Sequence, residues 1–232
     1  MWLRIYVVIS SLALVVLSTA AFRQASKPQN LGEITVERIN VVDANGTLRL
    51  VISNKDRQHP GVIDGVTIDR PRPVAGLLFF NDVGDEVGGL VFTGQDKDGK
   101  GAASVTFTFD QLHQDQTIGL RYSEADGKRR AALEVWDRPD AHLGDLVRAL
   151  NTANAIADPA HRQAAVATVR QAAPSGHTRV FVGKDVDRSA SVALSDAAGT
   201  PRLKLTVDAG GNPRIEFLDD KGQVVQRLPQ GK

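Results

Sequence analysis

The sequence predicts a mainly β protein: an antiparallel meander of repeated hairpins, arranged as a sheet, sandwich or barrel, with a two-helix insertion and an N-terminal transmembrane or signal helix. Three observations carry this. Apolar and polar residues alternate with period two along most of the chain. An Asp-x-x-Gly pattern recurs between the alternating stretches. One alanine-rich stretch, 140–174, loses the alternation.

The alternation is clearest in Ser104-Val105-Thr106-Phe107-Thr108-Phe109, which puts Val105, Phe107 and Phe109 on one face and hydroxyl residues on the other. Leu203-Lys204-Leu205-Thr206-Val207, Ile215-Glu216-Phe217 and Leu133-Glu134-Val135 repeat it. Leu77-Leu78-Phe79-Phe80 and Leu90-Val91-Phe92 are apolar on both faces.

The turn pattern begins at Asp43 and ends at Gly46, then recurs as Asp96 with Gly99, Asp196 with Gly199, Asp208 with Gly211, and Asp219 with Gly222. An Asp opening a type I turn accepts backbone N–H bonds, and a Gly at the fourth position supplies positive φ. The last three turns start 12 and 11 residues apart, which leaves strands of about seven or eight residues.

Within 140–174, Leu143, Leu146, Val147 and Leu150 follow helical spacing. Asp158-Pro159 reads as the N-cap and first turn of a second helix, and Pro174-Ser175-Gly176 ends it. The expected organisation is 1–23 signal anchor or signal peptide, 24–32 linker, 33–139 β-meander, 140–174 helical hairpin, and 175–232 a second β-meander packed with or continuing the first.

At the N-terminus, 18 uncharged residues run from Ile5 through Phe22, between Arg4 and Arg23. As a helix they span about 27 Å, close to a hydrocarbon core of about 30 Å. The stretch is longer than a typical signal-peptide core, which favours an uncleaved anchor contacting the membrane through residues 4–23. Ser18-Thr19-Ala20 and Thr19-Ala20-Ala21 offer small-x-small cleavage sites, so secretion after cleavage is the alternative. The short N-terminal tail places the C-terminal body outside the cytoplasm.

The composition excludes several kinds of chemistry. The chain has 232 residues and no cysteine, which removes disulfides, thiolate metal sites and cysteine nucleophiles. Its 28 Lys+Arg against 27 Asp+Glu give no charge-driven preference for nucleic acid. Gly94-Gln95-Asp96-Lys97-Asp98-Gly99-Lys100-Gly101 resembles a phosphate-binding loop, but Gly101 stands where a magnesium-holding hydroxyl belongs. Read from Asp96 as a calcium loop, Lys100 and Phe107 fall at ligand positions five and twelve.

The histidines, His59, His113, His142, His161 and His177, are single, and none pairs at a metal-ligand spacing. No catalytic residue, cofactor or metal is therefore expected. Trp136 and the helical residues Leu143, Val147 and Leu150 are the candidate interaction surface, for a protein partner or for self-association.

The function expected is a non-enzymatic structural or protein-interaction module of the cell envelope, membrane-anchored or secreted. The alternatives are a ligand-binding β-barrel for an apolar small molecule and an extracytoplasmic hydrolase with dispersed carboxylates. Deleting residues 1–23 is expected to give a soluble body; a shortened chain that still partitions into membranes would contradict the anchor.

Overall fold

The computed structural model describes residues 1–25, 30–68 and 71–230, without the side chains of residues 19–25 and 97. The chain divides into an N-terminal unit, Met1–Val36, and a body, Glu37–Lys232. In the first, Trp2–Ala25 forms helix α1. The Ser10 and Ser18 hydroxyls donate to the carbonyls of Val7 and Leu14, which satisfies them within the apolar helix.

The expected transmembrane helix is not supported: among the described residues, no helix is long and apolar enough to cross a membrane. A span needs about 20 apolar residues, and the described side chains of α1 end at Ser18. The expected cleavage sites depend on residues 19–21, whose side chains lie outside the described residues. Residues 26–29 of the expected linker lie outside them too.

The body is one long antiparallel meander. Its strands are β1 (Arg38–Val42), β2 (Leu48–Ser53), β3 (Val62–Ile63), β4 (Val66–Thr67), β5 (Ala75–Phe80), β6 (Glu86–Lys97), β7 (Lys100–Asp110), β8 (Gln116–Ala125), β9 (Lys128–Asp137), β10 (His177–Lys184), β11 (Ala190–Ser195), β12 (Pro201–Val207), β13 (Pro213–Leu218) and β14 (Val224–Leu228). Helices α2 (Leu143–Asn154) and α3 (Pro159–Ala172) lie between β9 and β10.

Twelve strands form one sheet in chain order, from β1 through β2, β5 and onward to β14, while β3 and β4 make a separate small hairpin. Strands β1 and β14 are the free edges, so the sheet does not close. This removes the barrel from the expected alternatives, because an enclosed cavity needs those two edges to pair.

The turns fall into two kinds. Gly46, Gly199, Gly211 and Gly222 have positive φ, and their amides donate to the carbonyls of Asp43, Asp196, Asp208 and Asp219. The carboxylates of Asp196, Asp208 and Asp219 each accept two further backbone N–H bonds inside the turn. Elsewhere the turn is tighter: Asp96 lies inside β6 opposite Gly101, and Asp98-Gly99 alone connects β6 to β7, both residues at positive φ. Asp126-Gly127 does the same between β8 and β9. Two-residue turns of this hand match the twist of the flanking strands.

Cross-strand pairing carries the alternation across the whole sheet. Ile39, Ile52, Leu77, Leu90, Phe107, Leu120, Leu133, Val182, Val192, Leu205, Ile215 and Leu228 are successive partners from edge to edge. The neighbouring row on that face runs Val41, Leu50, Phe79, Gly88, Phe109, Ile118, Val135, Val180, Leu194, Leu203, Phe217 and Gln226. Neither row contains a charge.

The opposite face is mixed, and the buried core lies there. Val51, Leu78 and Phe80 form it, with Leu48 and Val91 packed against them. The segment 54–74, which carries β3 and β4, supplies cover: the His59 ring meets Phe80 edge-on at 4.9 Å, and Arg72 makes a bidentate pair with the buried Glu86 at 2.7 and 2.8 Å.

At Gly88, as at Gly76, the sheet has no room for a side chain. The φ of Gly88 is +130°, and a Cβ would fall 2.2 Å from the Thr108 carbonyl oxygen. Gly101 has nothing within 4 Å of the equivalent position. Gly88→Ala is therefore expected to lower stability in urea denaturation by at least ~1 kcal/mol, with Gly101→Ala within about 0.5 kcal/mol of the parent.

Candidate functional site

Two features of the body have chemistry to offer. The first is the uncharged sheet face. On it Phe109 is 46% exposed, Leu120 53% and Leu205 39%, and none of the large apolar side chains of its two rows is buried. A shallow depression of about 680 Å³ over β10–β14, lined by Val182, Val192, Leu205, Val207, Ile215 and Leu228, belongs to the same face.

The mixed face, in contrast, satisfies itself. Glu134 and Glu216 are each only 8% exposed. Arg130 donates to Glu134 at 2.7 Å and Arg227 to Glu216 at 2.6 Å, so the arginine stems lie along the sheet and shield it.

The second feature is a cluster of Asp64, His113 and His142, brought together from three sequence-distant turns. Asp64 begins the Asp64-Gly65 turn between β3 and β4, both residues at positive φ. His113 sits in the β7–β8 turn at φ 57°, where the Gln114 amide donates to the Gln111 carbonyl. His142 is the N-cap residue of α2, yet its side chain makes no capping bond.

Instead, His142 Nδ1 lies 3.2 Å from Asp64 Oδ2, and His113 Nδ1 lies 3.3 Å from Asp64 Oδ1. The two imidazoles stack with centroids 4.6 Å apart and planes 19° from parallel. Asp85 Oδ2 is 3.2 Å from His113 Nδ1, and its other oxygen accepts the Gly65 amide at 3.0 Å. Arg148 of α2 donates to Asp64 at 3.2 Å. Desolvation raises the Asp64 carboxyl, but hydrogen bonds from His142 and Arg148 outweigh it and hold it below the ordinary aspartate range.

Backbone contacts fix the same junction. The Leu143 amide donates to the His113 carbonyl at 2.9 Å, and Gln114 Nε2 donates to the Ala141 carbonyl at 2.7 Å. Gly144 packs so closely that a Cβ there would fall 2.5 Å from Asp64 Cβ.

The candidate interaction residues are placed differently from one another. Trp136 is half-buried between the guanidinium groups of Arg121 and Arg138, 4.7 and 5.5 Å from its ring, and packs over Gly119. Val147 is buried, and Leu143 and Leu150 are half-buried, so the apolar stripe of α2 is largely used within the protein. His161 is exposed and pairs with Asp158, whose carboxylate caps α3 by accepting the His161 amide at 2.7 Å.

The Asp64 cluster escapes a search for local spacing, because its members share no motif. The one readable signal is Val62-Ile63-Asp64-Gly65-Val66-Thr67, an Asp-Gly pair between β-branched residues, which marks the β3–β4 hairpin. No family model matches the chain, and no curated protein matches it either.

Asp110, the last residue of β7, is the most perturbed carboxyl described. Burial first, then the nearby charges of Glu86 and Asp115, push it up to about 7. Its Oδ1 is buried without a hydrogen-bond partner. The folded chain thus holds this proton between the ordinary aspartate range and about pH 7, where the unfolded chain releases it. This group's contribution to stability is complete in acid and is lost as pH rises through about 7. Denaturation midpoints across pH 4–8 are expected to show Asp110→Asn gaining stability relative to the parent as pH rises.

Proposed function

We propose that the chain is an exported, non-enzymatic structural module that pairs with a second copy of itself through the uncharged sheet face. The observation that carries this reading is that face: two rows of apolar partners cross all twelve strands without a charge, and no layer of the body covers them. Strands about 4.8 Å apart, with alternate residues about 6.8 Å apart, make these two rows a patch roughly 50 Å by 14 Å. That is about 700 Å² per copy, close to the ~800 Å² each partner contributes to a standard stable interface. Two such faces stack at about 10 Å, as the layers of a sandwich do.

The uncharged segment Ile5–Phe22 supports the exported location, with the N-terminal unit as signal or membrane-contacting segment and the body outside the cytoplasm. The hydrolase alternative calls for a perturbed carboxyl, and Asp110 is one; its position beside the buried Arg72–Glu86 pair favours a structural role.

The absence of cysteine gives a clean test in the full-length chain. Leu120→Cys places one thiol at the centre of the face, and Val83→Cys, 68% exposed in the β5–β6 turn, is the control. The expected result is slow labelling at position 120, fast labelling at 83, and a sedimentation mass of two copies for the unlabelled chain. Equal labelling of the two thiols would overturn the reading. Protection at 120 in a chain that sediments as one copy would overturn the second copy as occupant.

A further inference from the structure

We propose that Asp64, His113 and His142 bind one divalent transition-metal ion of the zinc type, and that the ion clamps the helical hairpin to the end of the sheet. The donor atoms all lie within 4.8 Å of one another. For zinc–nitrogen and zinc–oxygen bonds of about 2.0–2.2 Å, neighbouring ligand atoms of a tetrahedron stand about 3.3–3.5 Å apart. The two imidazole nitrogens are 3.3 and 3.2 Å from the two different oxygens of Asp64, so the donors are already gathered and a turn of one stacked ring is needed to aim both nitrogens at the same ion.

The donor types select the ion. Two imidazoles and a carboxylate suit zinc, cobalt and nickel, whereas calcium and magnesium require oxygen ligands throughout. Asp64 and Asp85 together supply two negative charges against a divalent ion. Asp85 Oδ2 lies 3.2 Å from the same nitrogen of His113, close enough to offer the ion a further ligand oxygen. Three protein ligands leave at least one position open to water.

The consequence is mechanical. His142 begins α2, His113 lies between β7 and β8, and Asp64 tips the β3–β4 hairpin. An ion held by all three joins the hairpin insertion, the sheet and the 54–74 segment at one point. Without it, the same junction rests on imidazole–carboxylate bonds, the Arg148 contact and the backbone bond from Leu143 to His113.

Titration of metal-stripped full-length chain with Co(II), then Zn(II), tests this. Visible cobalt absorption reports coordination, and calorimetry gives stoichiometry. One equivalent is expected, displaced by zinc. Affinity should fall at least ~10-fold in His142→Ala and His113→Ala, the lower bound for disturbing even an outer-shell partner, and stay unchanged in His161→Ala. His142 is half-exposed, so its alanine variant is expected to keep the parent's circular dichroism. Hydrogen exchange across residues 143–172 should slow on zinc addition in the parent and not in His142→Ala. Absence of stoichiometric binding, or binding that survives in both histidine variants, would overturn the site. Binding with unchanged exchange would overturn the clamp.

Discussion

The constraint on which the structure depends is register. Side chains alternate with a period of two, so a slip of one residue between neighbouring strands would exchange the two faces. Here the alternation stays in phase across eleven consecutive strand pairings, and the uncharged rows never cross to the other side. Local turn chemistry holds that phase. The carboxylates of Asp196, Asp208 and Asp219 accept backbone amides and that of Asp43 pairs with Arg49, while Asp98-Gly99 and Asp126-Gly127 allow only a two-residue connection. With no disulfide available, these short-range bonds must fix the pairing before any distant contact helps.

Once register is fixed, the two faces meet different fates. The mixed face buries the carboxylates of Glu86, Glu134 and Glu216, and each of these three finds a guanidinium: Arg72 on Glu86, Arg130 on Glu134, Arg227 on Glu216. Removing one partner of such a pair costs more than the pair itself contributes, because a charge is left buried. The apolar face has no comparable internal remedy. Its side chains shield one another only partly, and burial there requires a second layer that the body does not supply.

Much of this architecture was legible in the sequence, and the remainder was not for identifiable reasons. Val105–Phe109 and Leu203–Val207 read as strands because alternation is a local property. Asp158-Pro159 read as a helix start because capping is local as well. The uncharged rows are not the interior: Val51, Leu78 and Phe80 form the core from the other face, where the segment 54–74 with its β3–β4 hairpin supplies cover. Leu77–Phe80 looked two-sided and is, with Leu78 and Phe80 covered and Leu77 and Phe79 left on the open face. The Asp64 cluster was invisible because strand order, not spacing, brings its members together. His113 adds a further disguise, since it holds a left-handed conformation that is uncommon for any residue but glycine.

An open sheet must also answer for its edges, which offer unpaired backbone groups to any other strand. Both edges here are short. Strand β1 has five residues and an irregular register at Val41/Val42. Strand β14 also has five and runs into Pro229, which has no N–H to donate. On β14, Arg227 is held down on Glu216, and Gln226 interrupts the apolar row. Edge-to-edge growth would bury little apolar surface and would have to begin at these interrupted strands. Face-to-face pairing uses the part of the sheet where twelve strands contribute at once and no charge needs a partner. The same asymmetry limits the assembly, because each sheet has only one uncharged face. In the proposed pair both of those faces are consumed and the arginine–carboxylate lattices face outward, which would stop the association at two.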